Sequence, residues 1–95
     1  MGDLEDLKLR SLSYILRGGE APDLSGLDSA SLEELENAVW WVPLTNAEKL
    51  RHEWPEDKVE ALEDIRKMLG RTIRLLRRIE RAKVKSQRRP RQYDN

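Results

Sequence analysis

The fold turns on residues 55–85, which read PEDKVEALEDIRKMLGRTIRLLRRIERAKVK. Within this stretch Leu62, Ile65, Leu69, Thr72, Leu76 and Ile79 recur at steps of three and four residues. Such a heptad seam predicts one long helix over 55–85, opened by Pro55 at a first helical position. Val59, Met68, Ile73 and Leu75 widen the apolar surface beyond a two-stranded seam. A stripe so broad is expected to pack against neighbouring helices in a bundle. Gly70 falls in mid-helix, where glycine costs about 1 kcal/mol relative to alanine. It either admits another helix closely or is simply tolerated.

Upstream, Leu4, Leu7, Leu12, Ile15 and Leu16 mark an amphipathic helix over 3–17, with Asp3 at its start and Gly18-Gly19 as its stop. Residues 18–30 change to Gly, Pro, Ser and Asp around Leu24 and Leu27, a connector long for a small bundle. A capping box, Ser31-Leu32-Glu33-Glu34, predicts a helix over 31–42 that Pro43 ends. A second box, Thr45-Asn46-Ala47-Glu48, predicts a short helix over 46–54. Residues 86–95 hold Pro90 and no apolar side chain but Tyr93, and read as a disordered basic tail. The expected fold is all-α: a small bundle of three to four helices in a single domain over 1–85. The short helices are expected on the N-terminal half of the long one, leaving its basic end projecting.

The composition removes several classes of function. With 95 residues there is room for one small core. The chain has no cysteine and one histidine, which excludes disulfide scaffolds, thiolate zinc sites, iron–sulfur clusters and cysteine nucleophiles. No apolar run is long enough to span a membrane, and the acidic N-terminus does not read as a signal peptide. The chain is therefore expected to be cytoplasmic, with no membrane partner. No phosphate loop, glycine-rich dinucleotide turn or nucleophile motif is present, so no enzyme activity and no cofactor is expected. The carboxylates at 57–64 lack the alternating ligands and central glycine of a calcium loop, and no metal is expected there. His52 stands in Arg51-His52-Glu53-Trp54 with no serine or cysteine at a suggestive offset, and reads as a surface residue.

The formal net charge is zero, but its distribution is lopsided. Residues 1–64 hold 16 acidic and 6 basic side chains, and residues 65–95 hold 12 basic and 2 acidic ones. Along the long helix, Lys67, Arg71, Arg74, Arg78, Arg81 and Lys85 follow at steps of four, three, four, three and four, so all six share one face away from the seam. Arg66 and Arg77 flank this stripe, and Arg88, Arg89 and Arg91 continue it into the tail. Arginine's planar fork pairs two-pronged with phosphate. Side chains that read base edges are missing from the stripe, so backbone recognition of RNA or DNA without strong sequence readout is expected. Between Arg66 and Arg91 only Glu80 interrupts the sign. Like charges so arranged repel unless something answers them: nucleic acid, an acidic protein surface, or the acidic N-terminal helices of the same chain.

Trp40, Trp41 and Trp54 are conspicuous in a chain without phenylalanine. They form either the main core of the bundle or the anchors of a protein interface, since exposed tryptophan is typical of binding hot spots. A helix-turn-helix drawn over 31–54 makes a poor DNA reader, because its second helix carries Glu48 and Glu53 against Lys49 and Arg51. The favoured expectation is an accessory protein of a nucleoprotein complex that binds through the arginine-rich helix and tail. The rival is a protein-binding adapter or inhibitor that docks through the tryptophans and the seam. The seam past Leu69 is expected to find no partner within one chain, which favours a homodimer or docking into a larger assembly. A third reading is a self-assembling structural protein in which the acidic and basic poles of neighbouring copies meet.

Overall fold

In a computed structural model, which describes residues 3–88, the chain is all-α. Four helices follow in order: α1 Asp3–Arg17, α2 Ser29–Val39, α3 Val42–Glu53 and α4 Lys58–Arg88. The long last helix forms as its heptad pattern predicts, although several helix boundaries move for local reasons. The start of α2 is Asp28, whose extended backbone and Oδ1, accepting from the Ser31 amide at 2.8 Å, satisfy a free N–H of the first turn. Ser31 is thus inside the helix instead of capping it. Pro43 does not terminate α2; it sits in the first turn of α3, where its missing N–H costs nothing. The box at Thr45–Glu48 consequently lies within α3, whose N-cap Trp41 makes no side-chain cap bond. Asp57, not Pro55, opens α4, with Oδ1 accepting from the Glu60 amide at 2.9 Å. At the far end the helix continues through Ser86 and Gln87 to Arg88, so these three are not tail. The rest of the expected disordered tail, 89–95, lies outside the described residues.

The core gathers Tyr14 and Ile15 of α1, Leu24 of the connector, Leu32, Leu35 and Val39 of α2, Val42 of α3, and Leu75 and Ile79 of α4. On α4 the buried line runs Met68, Thr72, Leu75, Ile79 and Ala82, with Met68 and Ala82 partly covered. This corrects the seam. Thr72 and Ile79 belong to it as expected, but Leu62 is 65% and Leu69 39% exposed, while Leu75 is fully buried in place of Leu76. Two heptad-like lines, one residue apart in register, share Thr72 and Ile79; a rotation of the helix by part of a turn chooses between them. What sets that rotation is the packing of α1 and α2.

Three polar ties accompany the packing. Lys8 of α1 reaches Glu34 of α2 at 2.7 Å and Glu5 at 3.2 Å. Lys83 of α4 pairs with Glu36 of α2. Arg71 Nη1 donates to the Ile15 carbonyl at 2.9 Å, joining α4 to the end of α1. The pair at Lys83 puts α2 on the last turns of α4, so the bundle covers its C-terminal half. α2 therefore overturns the expectation that the basic end projects free, whereas α3 lies on the N-terminal half of α4 as expected. The acidic first turns of α4 are flanked by α3, whose Ala47, Leu50 and Arg51 line a shallow hollow with Trp54, Ala61 and Leu62.

Two hydroxyls, Ser11 Oγ and Thr72 Oγ1, are buried without a hydrogen-bond partner, which destabilises the folded state. Replacing Thr72 with valine keeps the shape and removes the orphaned group. Urea unfolding is expected to show a gain of about 1 kcal/mol, and a loss would mean that the hydroxyl is satisfied in solution. The seam correction is tested in dilute protein by truncation. Leu75→Ala is expected to cost about 3 kcal/mol and Leu69→Ala less than about 1 kcal/mol, and the reverse order would restore the original seam.

Candidate nucleic-acid interface

Because α4 is unbroken from Lys58 to Arg88, the spacing of Lys67, Arg71, Arg74, Arg78, Arg81 and Lys85 becomes a real line on its surface. At 1.5 Å per residue it extends for about 27 Å. The line sits about 100° round the axis from the Leu75 side of the core, on a flank of the helix rather than opposite its buried face. Lys67, Arg74, Arg78, Arg81 and Lys85 are exposed; Arg71 is half-buried. Arg77 is exposed farther round. Arg88 is the last residue of α4, and Arg89 and Arg91 lie outside the described residues.

Arg71 has a structural task. The chain leaves α1 through Gly18, whose φ of +89° is the left-handed conformation that closes helix ends, and the Gly18 amide donates to the Tyr14 carbonyl at 2.8 Å. The Arg71 guanidinium lies over this turn: a Cβ on Gly18 would stand 3.2 Å from Nη2. From there Nη1 serves the Ile15 carbonyl, a cation on the negative end of the helix dipole.

None of the six stripe residues takes part in an ion pair among the described residues. The acidic groups of α1 and α2 go elsewhere: Asp6 to Arg10, Glu5 and Glu34 to Lys8, Glu36 to Lys83. Arg66, about 100° round the helix from the stripe, pairs with Glu63 at 2.7 Å. The acidic half of the chain therefore does not fold over the stripe to neutralise it. The closest approach to an answer is Asp23 in the connector. Its carboxyl is held below the usual range chiefly by the Ser25 amide at 3.0 Å and the Ser25 hydroxyl at 3.1 Å, with a smaller pull from Arg78.

Sequence reasoning marks the connector as long enough to hold a functional shape but does not place it at the basic flank. Residues Asp23 to Leu27 border an open cleft with Arg78, Arg81, Lys85 and Ser86. On its other side Arg10, Ser13 and Glu20 edge a second hollow that Arg78 also lines. The buried Pro22 and Leu24 anchor this wall. Its unusual length was the signal available; its position alongside the basic flank was not readable from residue types.

The tryptophans are not the core. Trp40 is 50%, Trp41 44% and Trp54 78% exposed, and the interior is aliphatic apart from Tyr14. Trp41 Nε1 donates to the Asn37 carbonyl at 3.0 Å. Trp40 and Trp41 mark the corner between α2 and α3, and Trp54 the other end of α3, so a whole helix of about 18 Å separates them. Trp54 ends α3 with φ 50° and ψ 69°, a left-handed conformation rare for so bulky a residue. His52 is exposed beside Glu48 at 3.5 Å. No cluster of three metal-ligating side chains occurs among the described residues, and no described helix is long and apolar enough to cross a membrane.

No family model, curated protein or solved structure matches this chain. The division of labour within the stripe is open to direct test. Arg71→Gln is expected to lower Tm by about 5 °C because the end of α1 loses its donor, whereas Arg78→Gln is expected to leave Tm unchanged. Equal Tm values for the two variants would show that Arg71 is only another surface cation.

Proposed function

We propose that this chain is a non-enzymatic, cytoplasmic accessory protein of a nucleoprotein complex, gripping nucleic-acid backbone with the basic flank of α4. One observation carries the reading: Lys67, Arg74, Arg78, Arg81 and Lys85 are exposed, single-signed and without an ion-pair partner among the described residues. Their spread of about 27 Å suits several successive phosphates, which repeat every 3.4 Å or so along a strand. The connector wall with Ser25 and Gly26 adds shape on one side of the line. No base-reading side chain interrupts the line, so the grip is on backbone and shape, in RNA or DNA.

A second reading, docking on a protein partner, is favoured by Trp54. It holds a strained backbone conformation with 78% of its surface exposed, next to an apolar hollow formed by Ala47, Leu50 and Leu62. In that reading the basic flank meets an acidic protein surface.

Titration of nuclease-treated protein into labelled duplex DNA, structured RNA and single strands separates the two. Five phosphate contacts predict affinity falling by two to three orders of magnitude between about 50 and 200 mM salt. The triple variant Arg74→Gln, Arg78→Gln, Arg81→Gln is expected to stay folded and to lose about three units of salt slope. Unchanged affinity in that variant would overturn the nucleic-acid reading.

A further inference from the structure

The opposite flank of α4 carries a second unanswered surface. Val59, Leu62, Leu69 and Ile73 are 72%, 65%, 39% and 47% exposed, and Leu76 is only partly buried. With Arg66 they follow at steps of three, four, three, four and three, a complete heptad line beside the one the bundle buries. Apart from Arg66, and from Leu62, which α3 borders, this is an apolar line with no helix on it among the described residues. The charge along α4 selects the helix that fits. Of the acidic residues in its first turns Glu63 borders the line while Glu60 and Asp64 project from the far side, and beyond Ile65 the helix is basic but for Glu80, which continues the line. An identical helix laid parallel would oppose like charges; laid antiparallel, it brings each acidic end beside a basic one.

We propose that the partner is a second copy of this chain, with two α4 helices packed antiparallel about a twofold axis level with Arg71, so that Leu69 of each lies against Ile73 of the other and Leu76 covers the aliphatic stem of Arg66. In this register Leu62 falls level with Glu80 of the partner subunit, and Glu63, which also pairs with Arg66 of its own chain, lies beside Arg77 of the partner subunit, a contact made twice. A register one heptad shorter would leave the two Arg66 side chains only about 4.5 Å apart along the axis, whereas this one separates them by about 15 Å. Gly70 gains a reason. Within one chain a Cβ at this position would meet nothing within 4 Å, so no intrachain packing explains a residue that weakens the helix. At the axis its bare backbone lets the second helix approach. The basic line lies on the other side of α4 and stays open in the dimer, so the inference stands or falls independently of nucleic-acid binding.

Sedimentation equilibrium of the full, nuclease-treated chain from about 5 to 500 μM, at about 50 mM salt, reads the association directly. The mass is expected to rise from one chain to two. The variant Leu69→Gln with Ile73→Gln is expected to remain a single chain with unchanged helix content, because both positions are partly exposed in the monomer. Glu63→Arg sets two pairs of like charges together and is expected to weaken association at least about tenfold. Adding Arg77→Glu to it restores opposite charges only in the antiparallel register, and dimerisation is expected to return. A wild-type chain that stays monomeric throughout, or a Leu69/Ile73 variant that still dimerises, overturns the proposal. So does an Arg77→Glu change that fails to rescue Glu63→Arg, whether or not the glutamine variant folds.

Discussion

The burial of Leu75 and Ile79 within one cluster with Ile15, Leu32, Leu35 and Val39 fixes how α4 is rotated about its own axis. Everything at the surface of α4 follows from that angle. With those two residues facing inward, the line from Lys67 to Lys85 falls on one flank and the line from Leu62 to Ile73 on the other. A rotation by one residue's worth would bury Leu69 and Leu76 instead and carry the basic line elsewhere. The helix is apolar on more than one side, so its own periodicity is satisfied by either arrangement. The decision comes from α1 and α2, which offer their stripes to the C-terminal half of α4.

Electrostatics refine this arrangement without creating it. The cross-ties from Lys8 to Glu34 and from Lys83 to Glu36 are partly exposed, and such pairs contribute modestly. The contact of Arg71 with the Ile15 carbonyl is of another kind, since it serves a helix end that has lost its own donors. Each tie takes up only one or two of the many charges available. The acidic surface of α1 and α2 therefore coexists with an unanswered basic flank on α4, and a net charge of zero hides two strong poles. The two flanks of α4 thus differ in chemistry: a row of exposed cations on one and exposed aliphatic side chains on the other.

The exposed tryptophans fit the same description. The core is assembled from leucine, isoleucine, valine and one tyrosine, and the three indoles lie outside it at helix ends. Trp40 and Trp41 fall where α2 hands over to α3, and adjacent residues on a helix point about 100° apart, so the two could not both turn inward. The corner is tight because Pro43 is accommodated in the first turn of α3 instead of breaking the chain away from it.

The sequence by itself determined the all-α class, the long final helix, the stop at Gly18-Gly19 and the line of six cations, because each rests on spacing or on local backbone chemistry. It also showed that the chain is split into an acidic and a basic half. Local chemistry left choices open where several residues could do the same work: Asp28 and Ser31 are both good caps, Pro43 can end one helix or begin the next, and Pro55 and Asp57 can each open α4. Tertiary structure alone decided which of two overlapping heptad lines is buried, that α2 packs on the basic half of α4 while α3 flanks its acidic start, and that the connector runs beside Arg78, Arg81 and Lys85. Those outcomes depend on how whole helices share one small core. No spacing within a single helix encodes that division.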